Sequence, residues 1–413
     1  MRTLIKLMTV AAAAATVTAM AVVPAAMADP PSGTTPRVQD IVGVGSDTIE
    51  AVLDQFSVAY NMTVKGSAPK LYSWDATNPV TGAIGDSITL KKGCKAFARP
   101  DGSGAGITAL TTENASTHGH PCIDYARSSR NRAPTDPAYK AGGISFITLG
   151  GDAVTYATQP GSNAPSNLSP LQLFDIYTCK ARTWSAVGVK GKAGKQTIKP
   201  YIPQSSSGTR SFFLTAIGFP SGAAPGTCVS DESTKKNPGG RLEENEGVNS
   251  GLNTDKANVI FPYSIGKYIA ERYHSAKCLN HFCTSETSGK NKGKVCAPTA
   301  SQNEFGCDIH GTMVLDEING TPPTTPFPLP ATCGKTCPVV NKDFTAVMTR
   351  SLYIVVPFGP DNGIPTYLAP LFGPQGFTCS AAAKPILEDY GFVVFPKGTS
   401  KIKHSITRCG DTH

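Results

Sequence analysis

Three short loops rich in glycine, serine and threonine limit what this chain can fold into more than any other feature. They are Gly43-Val44-Gly45-Ser46-Asp47-Thr48, Asp101-Gly102-Ser103-Gly104-Ala105-Gly106 and Ser205-Ser206-Ser207-Gly208-Thr209. Each precedes a stretch able to start a helix, so each can present free backbone N–H groups, hydroxyls and the positive end of a helix dipole. Proteins hold small oxyanions with that combination. One such loop says little, because Gly and Ser also cap helices and form turns. Three converging on one cleft make an anion site. Val38 to Val44 reads as a buried strand entering the first loop, and Ile49, Val52, Leu53, Phe56 and Ala59 follow at helical spacing. Strand, loop and helix in that order is the unit with which α/β proteins bind ligands at the carboxyl ends of strands.

Further along, Ile123 to Ala126 reads as a short strand that ends in Arg127-Ser128-Ser129-Arg130. Gly143 to Leu149 and Ala153 to Thr158 read as a strand pair around Gly150-Gly151. Ser169-Pro170 opens a helix over Leu171 to Tyr177, with proline in its first turn. Lys199 to Pro203 is a strand leading into the third loop, and Arg210 to Ile217 a helix after it. Ser351 to Phe358 is a strongly apolar strand, Ala381 to Tyr390 a helix, and Phe392 to Phe395 begins the last ordered segment.

The first 28 residues read as a secretory signal: Arg2 and Lys6, an apolar run over Leu7 to Val23, and Ala26-Met27-Ala28 as the cleavage site. The mature chain is then expected to start at Asp29. The first cysteine is Cys94, so no cleavage-site thiol is available for lipid attachment. No later stretch approaches the roughly 20 apolar residues that span a bilayer, so the expectation is a secreted, extracytoplasmic protein without a lipid anchor. Removing the signal takes two of 38 basic residues and none of the 30 acidic ones. The remaining positive charge suits an anionic ligand or a wall polymer. The basic residues are dispersed, with no Arg/Lys stripe interleaved with aromatics, which argues against nucleic acid.

Twelve cysteines in an exported chain point to disulfides. Cys278, Cys283, Cys296 and Cys307, with His274 and His281 nearby, can also be drawn as a zinc site, but their spacing matches no common zinc pattern. Disulfides are the preferred reading, and no metal or cofactor is expected. Near neighbours such as Cys94/Cys122, Cys179/Cys228 and Cys379/Cys409 are reasonable pairs. Cys278 to Cys337 reads as a bridged excursion from one domain.

Taken in order, the motifs resemble those of the substrate-binding protein of the bacterial phosphate ABC transporter, in the type 2 periplasmic-binding-protein superfamily. Gly43 to Thr48 corresponds to that family's first loop and Asp101 to Gly106 to its Gly-Ser-Gly loop. Ile123 to Ser129 stands where the family has Asp-Phe-Gly-Ala-Ser-Asp. Leu168-Ser169 through Leu173-Phe174-Asp175-Ile176-Tyr177, with Arg182-Thr183-Trp184, resembles its Leu-Ser…Ile-Phe…Lys-x-Trp segment. Ser207-Gly208-Thr209 matches its Ser-Gly-Thr loop and Asn245-Glu246-Gly247-Val248 its Asn-Glu-Gly-Val turn. The resemblance covers the mature chain to about Tyr268 and again from Arg350. It implies an α/β fold of two lobes joined by two crossing strands, near Ile144 to Thr158 and Thr349 to Phe358, with the ligand cleft between them. The first lobe would comprise residues 29–150 and 351–413, and the second residues 151–350, carrying the Cys-rich excursion at about 278–337.

The resemblance also implies a monomeric, non-catalytic protein that captures phosphate or a similar oxyanion and passes it to an ABC permease. Its ligand contacts would be Ser46, Asp47, Thr48, Ser103, Arg127, Ser128, Ser129, Ser207, Gly208, Thr209 and Arg210. Two departures alter the charge layout: Pro203 stands where the family has arginine, and Ser129 where it has aspartate. Arginine neutralises the anion, while a carboxylate acceptor favours a protonated oxyanion such as monohydrogen phosphate over sulfate. Asp47 with Arg127, Arg130 and Arg210 can supply both functions from new positions. Alternatively, Asp47 caps the following helix and the arginines pair with surface carboxylates. Two other functions compete. A hydrolase would draw on His118, His120 and Ser103, but Asp101 rather than glycine lies two positions before Ser103, so the nucleophile elbow is missing. A wall-associated module of the same fold would have lost its ligand.

Overall fold

The computed structural model describes residues 29–30, 33–79, 83–232, 241–248, 250–274, 310–325, 338–398 and 407–413. The expected signal and most of the Cys-rich excursion lie outside them. In chain order the elements are β1 (Ile41–Gly45), α1 (Glu50–Thr63), β2 (Leu71–Ser73), the small pair β3 (Ser87–Ile88) and β4 (Phe97–Ala98), α2 (Gly102–Thr112), β5 (Tyr125–Ser128) and β6 (Ile144–Thr158). There follow β7 (Asn167–Leu168), α3 (Pro170–Tyr177), α4 (Gly191–Gly194), β8 (Lys199–Pro200), α5 (Gly208–Ile217), β9 (Val259–Ser264) and α6 (Ile265–Ile269). Last come β10 (Val314–Leu315), β11 (Glu317–Ile318), β12 (Thr349–Pro357), α7 (Ala369–Phe372) and α8 (Ala383–Asp389).

The long strands β6 and β12 run antiparallel from Ile144 opposite Pro357 to Ala153 opposite Thr349, with a register shift between Leu352 and Tyr353. They form the middle of one mixed sheet in the order β2-β1-β5-β12-β6-β9-β8. On the β12 side, β5, β1 and β2 build the first lobe, with β1 parallel to both neighbours. On the β6 side, β9 pairs only with Val154–Ala157, the far half of the strand, and carries β8 and the second lobe.

Because helices and loops cover both faces of the sheet, β6 is buried along its whole length, and β12 runs buried from Leu352 to Val356 without polar alternation. Along β12, Leu352, Ile354 and Val356 face the cluster formed with Val52, Leu53 and Phe56 of α1, and Leu371 and Phe372 of α7. Tyr353 and Val355 point the other way, towards Val42, Val44, Ile107, Leu110 and Phe146. A separate core of Tyr177, Trp184, Phe213, Ile217 and Ile260 fills the second lobe. Ser169 starts α3 through a capping box with Gln172, followed by proline in the first turn.

The sequence reading differs from the fold at Gly150-Gly151. These glycines do not separate two strands, since β6 runs through them unbroken. They are small because the C-terminal segment crosses the sheet there. Gly151 exchanges two backbone hydrogen bonds of 2.8 Å with Val393, and a β-carbon on Gly151 would meet the Phe395 ring. The same part of the chain borders the near half of β6. Phe146 and His413 exchange hydrogen bonds of 3.1 Å, Thr148 N–H donates to Asp411 O (2.9 Å), and Gly410 N–H donates to Thr148 O (2.7 Å). The strand expected over Lys199 to Pro203 is regular only at Lys199–Pro200; Tyr201 still donates its N–H to Ile260 O (2.9 Å) and forms an isolated bridge with Ser230.

Among the described residues, disulfides join Cys94 to Cys122, Cys179 to Cys228 and Cys379 to Cys409. Alkylation of denatured, unreduced protein followed by peptide mass mapping should therefore leave these six cysteines unmodified. Alkylated Cys94 or Cys379 would overturn the pairing.

Candidate functional site

Each of the three loops begins a helix where the two lobes meet. The first leads into α1, the second forms the first turn of α2, and the third forms the first turn of α5, where the Ser207 hydroxyl accepts from Arg210 N–H. The loops pack so closely that a β-carbon on Gly208 would collide with the hydroxyls of Ser103 and Ser129. Ser129 Oγ lies 3.0 Å from Ser46 Oγ and 3.3 Å from Ser103 Oγ, and Ser129 N–H donates to Ser103 Oγ (3.0 Å). Thr48 and Thr209 bring their hydroxyls to 3.3 Å. All six side chains are buried.

At the focus of these loops lies a carboxylate of the chain itself, that of Glu244. One oxygen accepts from Thr48 Oγ1 (2.9 Å), Ser46 Oγ (3.1 Å) and Thr48 N–H (3.4 Å). The other accepts from Ser207 Oγ and from Thr209 N–H (2.9 Å) at the start of α5. Burial alone would raise this acid. Hydrogen bonds from Asp47 and Ser207, the positive field of Arg350 and the Thr209 N–H outweigh burial and hold it at about 2. Glu244 is thus an anion bound as a solute anion would be.

The positive charge comes from β12. The Arg350 guanidinium donates to Thr209 Oγ1 (3.1 Å) and Ser129 O (2.9 Å). Its other face is fixed by Asp152 of β6, with Nε and Nη2 at 2.9 and 2.8 Å from Oδ2. Asp152 in turn accepts from Ser264 Oγ (2.8 Å) and Gly266 N–H (3.0 Å). The two crossing strands therefore contribute one cation and its anchor.

Asp47 faces the cleft and makes no side-chain cap on α1. Its Oδ1 accepts from Asn245 Nδ2 (3.1 Å). Burial, then the charge of Glu244, push its pKa well above the carboxylate range, so it keeps a proton that it donates to Glu244. Three other expected residues stand away from the focus. The Arg127 guanidinium lies behind the first loop and is consumed there by Ser46 O (2.9 Å), Gly45 O (3.1 Å), Ser73 Oγ and Trp74 O (both 2.7 Å). Ser128 bonds locally with Arg130, which itself pairs with Asp136 at 2.6 Å. Arg210 turns outward to Asp231 and Pro203 O, both at 2.8 Å. Their electrostatic demands are met by these neighbours.

Neither Glu244 nor Arg350 is among the ligand contacts expected from the sequence. Glu244 lies one residue before the Asn245 turn, and Arg350 lies inside the crossing strand expected near Thr349 to Phe358. An acidic pair, Glu243-Glu244, directly before a binding-motif turn was the available signal. Of the residues considered for hydrolysis, Ser103 has its hydroxyl 3.3 Å from Ser129 Oγ and accepts from Ser129 N–H (3.0 Å). Among the described residues no group of three or more His, Cys, Asp or Glu is placed to hold a metal, and no helix is long and apolar enough to cross a membrane.

Several buried acids of the structure titrate above their ordinary values. Burial is the first cause in each case. Asp101 rises to about 6, while Glu246 rises to about 8 with help from the charges of Glu50 and Asp101. Asp54 reaches about 8 despite the pull of Arg127. Folded values above the unfolded ones mean that the native state binds more protons, so stability falls as pH rises through about 6 to 8. Glu244 acts in the opposite sense. Its contribution is complete above its ordinary value of 4.5 and is lost as pH falls towards about 2. The melting temperature should be highest in mildly acidic buffer and decline from there to pH 9, less steeply in Glu246→Gln. A melting temperature that rises across that range would refute this assignment of protons.

A comparison with curated proteins finds none that matches. Solved structures resembling the chain include an ABC-type phosphate transport receptor from Vibrio cholerae, 16% identical over 86% of this chain and 99% of that one, at a TM-score of 0.47. A putative phosphate ABC transporter substrate-binding protein with bound phosphate, from Clostridium perfringens, is 13% identical over 86% of this chain and 100% of that one, at a TM-score of 0.45. The PBP superfamily domain matches residues 30–258, more than half of the 413 residues, and the protein belongs to the PBP superfamily.

Proposed function

We propose that this protein is an exported, non-catalytic solute-binding protein that captures phosphate or a related tetrahedral oxyanion between its lobes for ABC-type uptake. The observation that carries the reading is the reception given to Glu244: two N–H groups and three hydroxyls from two lobes converge on one carboxylate beside a buried arginine. Phosphate presents the same donors with oxygens of greater charge. The order of six family motifs and the positive charge left after removal of the signal, 36 basic against 30 acidic residues, support it. The internal hydrogen bonding of Ser103 supports binding over hydrolysis. A module of the same fold that no longer binds a solute is the second reading, favoured by the fact that Glu244 already satisfies the donors.

Calorimetric titration of phosphate into Glu244→Ala protein, whose donors lack their internal partner, tests the choice. Binding is expected, and adding Thr48→Val, which keeps shape but removes a hydroxyl donor, should weaken it. Loss of a hydrogen bond to a charged ligand costs about 1.5–3 kcal/mol, or roughly ten- to 150-fold. No heat from phosphate or sulfate in either the variant or the wild type would leave the module reading.

Asp47 is the carboxyl placed to share a proton with the ligand. With Glu244 replaced, the neighbouring charge that helps Asp47 keep its proton is gone. Monohydrogen phosphate can then donate its own proton to an ionised Asp47, whereas sulfate, which carries none, needs Asp47 to be protonated. In the same background Asp47→Asn should narrow the preference for phosphate over sulfate, because the amide donates to either anion. An unaltered ratio would remove Asp47 from selection.

A further inference from the structure

The chain on either side of Glu244 is tied to the second lobe. Leu242, two residues before it, donates its N–H to Asp231 O (2.9 Å) and accepts at its carbonyl from Gln204 N–H (2.8 Å). Asn245, just after it and turned to a φ of 65°, accepts from Ser264 N–H (3.0 Å) through its side chain and from Tyr263 OH through its carbonyl. The Glu244 carboxylate nevertheless takes three hydrogen bonds from Ser46 and Thr48 of the first lobe, as well as those from Ser207 and Thr209 of its own. The carboxylate thus bridges the cleft with five hydrogen bonds, as a captured solute would. Weaker ties cross the cleft beside it: Asn245 Nδ2 donates to Asp47 Oδ1 (3.1 Å) and lies 3.3 Å from Thr48 Oγ1. Gly104 N–H reaches Ser206 O at 2.9 Å, and Gln204 Nε2 reaches Asp101 O at 3.2 Å.

We propose that Glu244 is a tethered surrogate ligand, which holds the two lobes shut when no solute is bound and must be displaced for capture. In naming the displacing solute an oxyanion the proposal rests on the function proposed above, but the closure does not. A group fixed to the protein competes at a high effective concentration without being consumed. A site free only for a small fraction of the time has its apparent affinity reduced by that fraction. The protein would thus respond to solute at concentrations well above the intrinsic dissociation constant of its seat, and would not need solute to be compact.

Small-angle X-ray scattering and calorimetry on wild type, Glu244→Ala and Glu244→Gln test this, with inorganic phosphate as the probe. Phosphate-free wild type should scatter as the closed form. Phosphate-free Glu244→Ala should show a larger radius of gyration, return to the closed value on adding phosphate, and bind phosphate at least about tenfold more tightly than wild type. Glu244→Gln keeps the packing while removing the charge, and carries the same comparison if the alanine variant does not fold. An opened variant that binds no phosphate supports the latch and refutes only the oxyanion reading. A variant as compact as wild type without phosphate overturns the latch, whatever its affinity.

Discussion

Closing donor-bearing loops over one point removes their N–H and O–H groups from water, and each buried donor left without an acceptor costs about 1–3 kcal/mol. The approach of Ser46, Thr48, Ser207 and the Thr209 amide therefore requires an acceptor able to serve several donors at once. Glu244 meets that requirement with two oxygens and a full negative charge. The charge would itself be costly in a dry site without a counter-charge. Arg350 supplies it, and Asp152 holds Arg350 in place from the neighbouring strand. The pairing of β6 with β12 is what brings those two residues together.

Around the Glu244 carboxylate lie acids that hold on to their protons. Asp47 keeps its proton and shares it in a hydrogen bond to Glu244, and the Glu243 carboxyl is raised by burial and by the neighbouring Asp101. Asp47, Glu243 and Glu246 would crowd negative charge around Glu244 if all were ionised. Kept protonated, Asp47 acts as a hydrogen-bond donor. Proton retention thus works alongside Arg350 in limiting the negative charge about this carboxylate.

Local features were legible in the sequence. The three loops, the capping box at Ser169 and the apolar run of β12 depend on neighbouring residues and on spacing. The convergence of the loops was inferred from order and resemblance, and the packing of Gly208 against Ser103 and Ser129 gives it a physical basis. What escaped depends on tertiary placement. Arg127 lies beside a binding motif, yet its side chain points behind β1, because the parallel pairing of β1 with β5 sets it against Gly45. Glu244 and Arg350 meet at the cleft from positions more than 100 residues apart, and no local pattern joins them. The glycine pair in β6 was read as a turn because the segment that crosses it comes from the far end of the chain.

The segments that cross β6 also bear on when its edge is covered. Among the described residues, the near half of β6 has β12 on one side and, on the other, residues 410–413 with Val393 at Gly151. Until those residues arrive, a long buried strand at the centre of the molecule offers a row of unpaired N–H and C=O groups, the geometry that invites pairing with another chain. A protein made from its N-terminus holds that edge open while the more than 240 residues between Gly151 and Val393 are made. Over that interval the nascent chain carries an aggregation hazard that the finished fold does not.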